Sequence, residues 1–589
     1  MWGVNSVYNV SKTTAASREA ALSSTAAPPP PPPGTEGSGN SGFAVVVNGV
    51  KIFGRGANLV PFELLEAAAT PAYIRRTMQS VHDGGMNMIR VWGGGMYQDD
   101  VFYEECDRLG ITIYHDMAFS FRLYPHDPGF QDNVKAELAD QIGRLRSHPS
   151  IVIWDTSNED DADPEFFYDT VLTSIAQHDA TRPLWPSSPS SGFATGVDTA
   201  TGLPNGNKLR GRFQAELDTH QPYDYCGASF VTSQKLADGT YFKSEFGQVS
   251  LPAFETLAPA LNGSAGDFAI NSPILVHRKH ACGSPRDPDD PPSGSACIND
   301  KNLGYPIASL FGETDFADRS EAHFRRLIFL SQLAQTLCIK TKLEEFRRGS
   351  ETFGALIWQL NDVWQASSWG SLDYGGRWRA LHHSLQAIFA PTLASVFVDA
   401  GTLRVYASHH GSALTGADKA QLELNITNVA TGAARSRMHT LSGIQGKSAA
   451  IAPVASLPLA SLNPATEVVT TRLMMPTNGG GLAPAETVHL LSPPANMSWV
   501  AVAASDVALT VGPFRDGRAV VTLANNAKAP MFFALLTSTR QGTFSRNLLL
   551  VPPGEARDTE FVSAEGAAGG GAAAGFKESL HLDWLNRAA

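Results

Sequence analysis

The chain has 589 residues, 43% of them hydrophobic and 17% charged, with 10 Trp and 30 Phe. That is a globular composition too long for one ordinary domain, so two to four are expected. A formal charge of −12 argues against nucleic acid as a partner, which needs a basic face, and no uncharged apolar run of about 18 residues is present to span a membrane.

Residues 1–41 are rich in Ala and Ser, with a proline run from Pro28 to Pro33, and read as a segment without a core of its own. They offer no basic stretch followed by an apolar core, hence no signal peptide. Order is expected from Phe43, with a hairpin around Asn48-Gly49 leading into a strand over Ile52 to Asn58. Strands and helices then alternate. Helices are read at Thr70 to Gly84 (Thr70 as N-cap, Pro71 in the first turn), Asp99 to Leu109, Asn133 to Arg146, Pro164 to His178 and Glu321 to Arg348. Strands are read at Asn87 to Gly93, Ile111 to Asp116, Ile151 to Ser157, Thr181 to Pro186, Asp218 to His220, Tyr241 to Ser244 and Gly354 to Leu360. Such alternation predicts a parallel sheet, and eight strands predict a (β/α)8 TIM barrel over residues 42–391. The Pro/Gly/Asp-rich stretch 262–312 reads as a loop over the barrel mouth. Short alternating runs after Pro391 predict two β-sandwiches, 392–480 and 481–565, followed by a Gly/Ala linker and tail, 566–589.

Two acids stand where buried strands surface. I-V-I-W (Ile151 to Trp154) runs out into Asn158 and Glu159, and Y-F-K-S (Tyr241 to Ser244) delivers Glu245. Active sites of barrels lie at the C-terminal strand ends, and two carboxylates facing one sugar are what glycoside hydrolysis needs. By itself Glu159 reads equally well as the start of a solvated acidic loop, since Asp160, Asp161 and Asp163 follow. Among the five cysteines no C-x-x-C occurs, which argues against zinc. Cys106, Cys226 and Cys338 have the apolar surroundings of buried thiols, whereas Cys282 and Cys297 flank a Pro/Asp-rich loop that a disulfide would close. Sequons at Asn9, Asn262, Asn425 and Asn496 are weak support for a secretory route.

Taken together, V-N-G-V-K-I-F-G-R-G-A-N (Val47 to Asn58), N-M-I-R-V-W-G-G-G-M-Y (Asn87 to Tyr97), H-P-S-I-V-I-W (His148 to Trp154), S-N-E (Ser157 to Glu159), D-T-H (Asp218 to His220), S-E-F-G-Q-V-S-L-P-A-F-E-T-L (Ser244 to Leu257) and W-Q-L-N-D-V-W-Q-A-S-S-W (Trp358 to Trp369) resemble the β-mannosidases of the family 2 glycoside hydrolases. The resemblance covers the barrel and the C-terminal domains. The jelly-roll and first sandwich that precede the barrel in that family have no counterpart here. It implies a retaining exo-glycosidase acting on terminal β-mannose, without metal or organic cofactor, with related activities such as exo-β-glucosaminidase or a non-catalytic glycan-binding relic as alternatives. It also implies roles: Glu159 as acid/base, Glu245 as nucleophile, Asn158 on the sugar 2-hydroxyl and Arg90 holding the nucleophile ionised. Trp92, His220 and Trp364 match pocket positions, and Tyr223 is a further candidate hydroxyl. The retaining mechanism implies carboxyl groups roughly 5 to 5.5 Å apart. A lysosomal, vacuolar or secreted location would follow from a leader on the true N-terminus, and oligomeric state is not read from the sequence.

Overall fold

The computed structural model describes residues 43–588 except the segments 48–49, 121–122, 160–165, 191–217, 221–226, 228–241, 279–302, 350–351, 411–419, 442–452, 477–481 and 565–574. Tyr223, Cys226, Cys282, Cys297 and the N-terminal 1–41 therefore lie outside the described residues.

Eight parallel strands form one curled sheet: β1 (Gly54–Leu59), β2 (Met88–Val91), β3 (Thr112–Asp116), β4 (Ile151–Asp155), β5 (Leu184–Trp185), β6 (Asp218–His220), β7 (Phe242–Phe246) and β8 (Gly354–Ile357). Their spatial order is β5-β4-β3-β2-β1-β8-β7-β6, the chain order of a TIM barrel. The seam between β5 and β6 is joined where Asp218 N–H donates to the Ser190 carbonyl at 3.0 Å. Period-2 alternation sorts the side chains. Met88, Tyr114, Trp185, Phe242 and Leu356 fill the barrel, while Ile89, Val91, Ile113 and Leu184 face the helices. Ahead of β1, Val45–Val47 and Val50–Ile52 form the expected hairpin. Fully buried Phe43 stacks on Trp185 at 4.5 Å and meets Phe242 at 4.6 Å, flooring the barrel.

The α-helices of six or more residues among the described residues are α1 (Pro71–Asp83), α2 (Asp100–Leu109), α3 (Pro128–Leu145), α4 (Thr173–His178), α5 (Pro273–Arg278), α6 (Gly304–Phe311), α7 (Glu321–Arg348) and α8 (Ala380–Ile388). Their starts follow local chemistry. The side chains of Thr70, Asp99, Asp127 and Ser320 each accept a backbone N–H from the first turn. Helix α3 begins earlier than the sequence reading because Asp127-Pro128 supplies both cap and first turn. The 262–312 stretch is not simply a loop. α5 and α6 occupy its ends, with Leu275, Ile307 and Leu310 buried in an apolar cluster that includes Phe324, Leu327 and Leu333 of α7. Cys338, on α7, is disulfide-bonded rather than a free thiol, its partner lying outside the described residues. Among the described residues, Cys106 is a buried free thiol.

Two sandwiches follow. The first pairs a sheet of β9 (Thr392–Asp399), β10 (Thr402–His409) and β13 (Ala455–Pro458) with one of β11 (Gln421–Asn428), β12 (Ala434–Thr440), β14 (Glu467–Pro476) and β15 (Leu482–Leu490). Because β15 runs antiparallel to β14 from Leu482 to Leu490, this sandwich extends to 490, past the expected boundary at 480. The second contains β16 (Val507–Val511), β17 (Arg518–Asn525), β18 (Met531–Ser538), β19 (Gly542–Phe544), β20 (Leu549–Val551), β21 (Ala556–Ser563) and β22 (Leu580–Asp583). The expected tail is thus structural: β22 pairs with β18, Leu535 opposite Asp583. One apolar cluster joins α7 to Val429 and Val468 of the first sandwich and to Phe532, Phe533 and Leu585 of the second.

Candidate active site

The C-terminal ends of β2, β3, β4, β6 and β7 converge on one polar cluster. Arg90, inward-facing on β2, is fully buried. Its guanidinium donates to Asp116 Oδ1 and Oδ2 at 3.0 and 2.6 Å, to Asn58 Oδ1 at 3.0 Å, to Asn158 Oδ1 at 2.8 Å and to Glu245 Oε1 at 2.8 Å. Burial alone would weaken this cation, but the Asp116 and Glu245 charges outweigh it and hold its pKa well above the usual value. The Gly93 N–H adds a bond to Asp116 Oδ2 at 2.9 Å. Glycine is required there: a Cβ at Gly93 would lie 2.3 Å from the Phe119 carbonyl, the group that accepts the Asn158 N–H.

The two acids reach the pocket by different backbone devices. On β7, Thr219 opposes Lys243 but His220 opposes Glu245, and the register to β8 shifts at the same place. This bulge turns both Ser244 and Glu245 inward, which a regular strand would not do. Glu159, past the end of β4, has φ +53°, a left-handed conformation that costs of order 1–3 kcal/mol for a non-glycine residue. Its N–H is held by the Ser188 carbonyl at 2.8 Å, beyond β5.

His220 stands between them. Its Nδ1 is 3.0 Å from Glu159 Oε1 and 3.4 Å from Glu245 Oε2, and its Nε2 is 3.0 Å from Ser188 Oγ. A carboxylate oxygen of each acid and a ring nitrogen of His220 lie within 4.8 Å of one another. The Glu245 side chain is 7% exposed and that of Glu159 is 32% exposed, so one acid is sheltered and the other meets solvent. Three such groups can chelate a cation, but the Arg90 charge on Glu245 Oε1 works against one. The cluster is better suited to moving protons than to holding a metal.

The structure thus brings Glu159, Glu245, Asn158, Arg90 and His220 together. Trp92 is half-buried just past β2, edge-on to Trp358 at 5.0 Å, at the end of β8. Trp364 packs farther out along the β8–α8 connection, under Arg278 of α5 at 4.9 Å. Asn58, Asp116, Ser188 and Asp218 belong to the cluster and were not singled out from the sequence. For Asp116 the signal was present: an acid ending a buried strand, as with the two that were chosen.

No family model matches the chain. A β-mannosidase of Bos taurus is 35% identical over 397 residues, covering 62% of this chain and 42% of the relative. A β-mannosidase A of Aspergillus niger is 30% identical over 400 residues, covering 61% and 41%. Over these residues the chain is similar to β-mannosidases. It spans about two fifths of the length of these curated relatives. A solved β-D-mannosidase of Dictyoglomus thermophilum superposes with a TM-score of 0.71 at 20% identity, over 93% of this chain and 62% of that one. An exo-chitosanase of Amycolatopsis orientalis superposes with a TM-score of 0.67 at 17% identity, over 93% and 64%. Those likenesses show the barrel-and-sandwich fold.

Proposed function

We propose that the chain is a retaining exo-glycosidase that removes terminal β-D-mannose from oligosaccharides or glycoprotein glycans. The observation that carries this is that one carboxylate oxygen of Glu159 and one of Glu245 lie within 4.8 Å of each other beside His220, which favours the close pairing used for double displacement over the wider gap that admits water for inversion. Glu245, sheltered and fixed by Arg90 at 2.8 Å, attacks the anomeric carbon. Glu159, protonated, gives its proton to the departing glycosidic oxygen. In the second step Glu159 takes a proton from water, the hydroxide attacks the anomeric carbon, and Glu245 leaves as carboxylate. Asn158 has its Oδ1 committed to Arg90 and one Nδ2 proton directed at Ser120 Oγ at 3.3 Å, which leaves the second Nδ2 proton as the donor toward a sugar hydroxyl. Trp92 and Trp358 offer an aromatic wall. Tyr223 stays a candidate hydroxyl, and Trp364 an outer contact.

The test is hydrolysis of p-nitrophenyl β-mannoside beside the glucoside, galactoside and glucosaminide. The mannoside should turn over fastest, and Glu245→Ala should show no detectable turnover. Glu159→Ala should lose about 10²–10⁴-fold on substrates whose leaving group needs a proton, less on activated aryl glycosides, with partial rescue by azide. A folded preparation inert on all four glycosides defeats the proposal; preference for the glucosaminide defeats the mannose assignment alone.

A further inference from the structure

His220 is tied on its far side to a chain of buried polar groups that the glycosidase mechanism does not use. Asp218 Oδ2 lies 3.0 Å from Ser188 Oγ, 3.3 Å from Trp185 Nε1 and 3.2 Å from Tyr114 Oη. Tyr114 Oη is in turn 2.7 Å from Asp155 Oδ2, and Ser188 Oγ is 3.0 Å from both His220 Nε2 and Ser244 Oγ. We propose that Asp218 and Ser188 are positioning residues that fix the proton of His220 on Nε2, so that Nδ1 is left to accept the acidic proton of Glu159. The proposal rests on Glu159 being the acid/base.

The direction of each bond follows from what each group is able to donate. An indole Nε1–H only donates, so Trp185 marks Asp218 Oδ2 as an acceptor. Asp218 is fully buried and its Oδ1 has no hydrogen-bond partner among the described residues, so its donors among those residues are gathered on Oδ2. Burial, reinforced by Asp116, lifts the Asp155 carboxyl well above the usual range, and burial likewise keeps the Tyr114 phenol protonated. The Tyr114 O–H donates to Asp155 Oδ2 at 2.7 Å, the shorter of its two contacts, with Asp218 Oδ2 at 3.2 Å as its second acceptor. Ser188 has one proton, and Asp218 Oδ2 takes it. With that proton given to the carboxylate, Ser244 O–H turns from the Thr219 carbonyl at 3.5 Å to Ser188 Oγ at 3.0 Å, and the remaining lone pair of Ser188 Oγ faces His220 Nε2, which fills its place as an N–H. A neutral imidazole protonated on Nε2 has a bare Nδ1. That nitrogen sits 3.0 Å from Glu159 Oε1, where only a protonated carboxyl completes the bond. Among the described residues, the charged groups facing His220 are Glu159, Glu245 and Asp218, with Arg90 behind Glu245. Lys243 of β7 is turned outward over the Phe346 ring at 5.3 Å.

In this arrangement the resting site keeps Glu159 as the acid that the first step needs. Ser188→Ala removes the acceptor for Nε2–H, so His220 is released to carry its proton on Nδ1 and to donate to a Glu159 carboxylate instead. That favours the ionised form, and the basic limb of the kcat/KM profile, which reports the essential acid, moves to lower pH. Exchanging one hydrogen bond is worth about one pH unit. Asp218→Asn, nearly isosteric, should move the limb the same way by less, and it keeps the question answerable if Ser188→Ala folds poorly. A dinitrophenyl glycoside, which needs no proton on its leaving group, should show no such shift. Independently of turnover, ¹⁵N spectra of histidine-labelled chain, with His220→Gln for assignment, should show His220 protonated on Nε2 in the wild type and redistributed toward Nδ1 in Ser188→Ala. A wild-type His220 carrying its proton on Nδ1, or on both nitrogens, overturns the proposal. So does a tautomer and pH profile unchanged in both variants. Correct tautomers in a chain without glycosidase activity would support the proton placement and refute the functional reading instead.

Discussion

Arg90 uses all five of its N–H groups on five oxygens from four side chains, at a site with no exposure to solvent. A guanidinium forks in one plane, and lysine offers three donors from a single point. Arg90→Lys therefore leaves some of Asn58, Asp116, Asn158 and Glu245 without a partner in a buried site. Breaking a buried pair in this way costs about 3–5 kcal/mol, and misplaced reacting groups commonly lose about 10²-fold in rate. We expect Arg90→Lys to lower the thermal midpoint by several degrees and kcat/KM at least that far, measured by calorimetry and steady-state kinetics on one preparation. A variant with wild-type kinetics would mean that Glu245 is positioned by other groups.

At the scale of single elements, α7 is buried on nearly every face, which is why charged groups on it have partners inside the protein. Arg347, near its C-terminal end and unexposed, donates to the carbonyls of Ile388, Ala390 and Pro391 at the end of α8. Helix C-termini leave carbonyls unsatisfied, and here a neighbouring helix supplies the donors. Arg347→Met keeps the packing volume but orphans those oxygens, so a loss of about 2–4 kcal/mol is expected; denaturant midpoints would register it, while turnover by the folded enzyme should hold. Elements of this kind divide by how local their cause is. The α1 and α2 starts were legible because Thr70-Pro71 and Asp99 act within one turn. Glu159 and Glu245 were legible because an acid at the end of an apolar run stands out. The β7 bulge was not, since Y-F-K-S-E-F contains no glycine or break in pattern, and the shift appears only against β6 and β8. Ser188 looks like an ordinary loop polar, and Asp218 like a polar residue opening a short strand, until β5 and β6 are side by side. β22 was read as a tail because its partner, β18, lies across a Gly/Ala-rich segment.

For the molecule as a whole, pH sensitivity comes from imidazoles sealed into cores. Burial depresses His115 to about 4, His382 to about 4 and His383 to about 3. His115 is fixed by the Asp116 carbonyl and the Tyr103 hydroxyl, and His382 by the Ser80 carbonyl and Ser371; His383 lies against Trp378 at 5.0 Å. In the unfolded chain these groups protonate near pH 6.5, so as pH falls the unfolded state takes up protons first. The stability they contribute is complete above pH 6.5 and is lost progressively down to about pH 4 for His115 and His382 and about pH 3 for His383. Buried Asp362, lifted by burial to about 7, acts in the opposite sense, because there the folded state binds the proton first. The net pH dependence is therefore a difference between the two sets, and single substitutions isolate the terms. His382→Gln and His383→Phe should each reduce the slope of unfolding free energy against pH by about 1.4 kcal/mol per unit between pH 6 and 5, whatever they do to stability at pH 7. Urea unfolding at half-unit steps across that window measures the slope directly. Slopes equal to wild type in both variants would mean that these imidazoles are hydrated in the folded protein and titrate as they do in the unfolded chain.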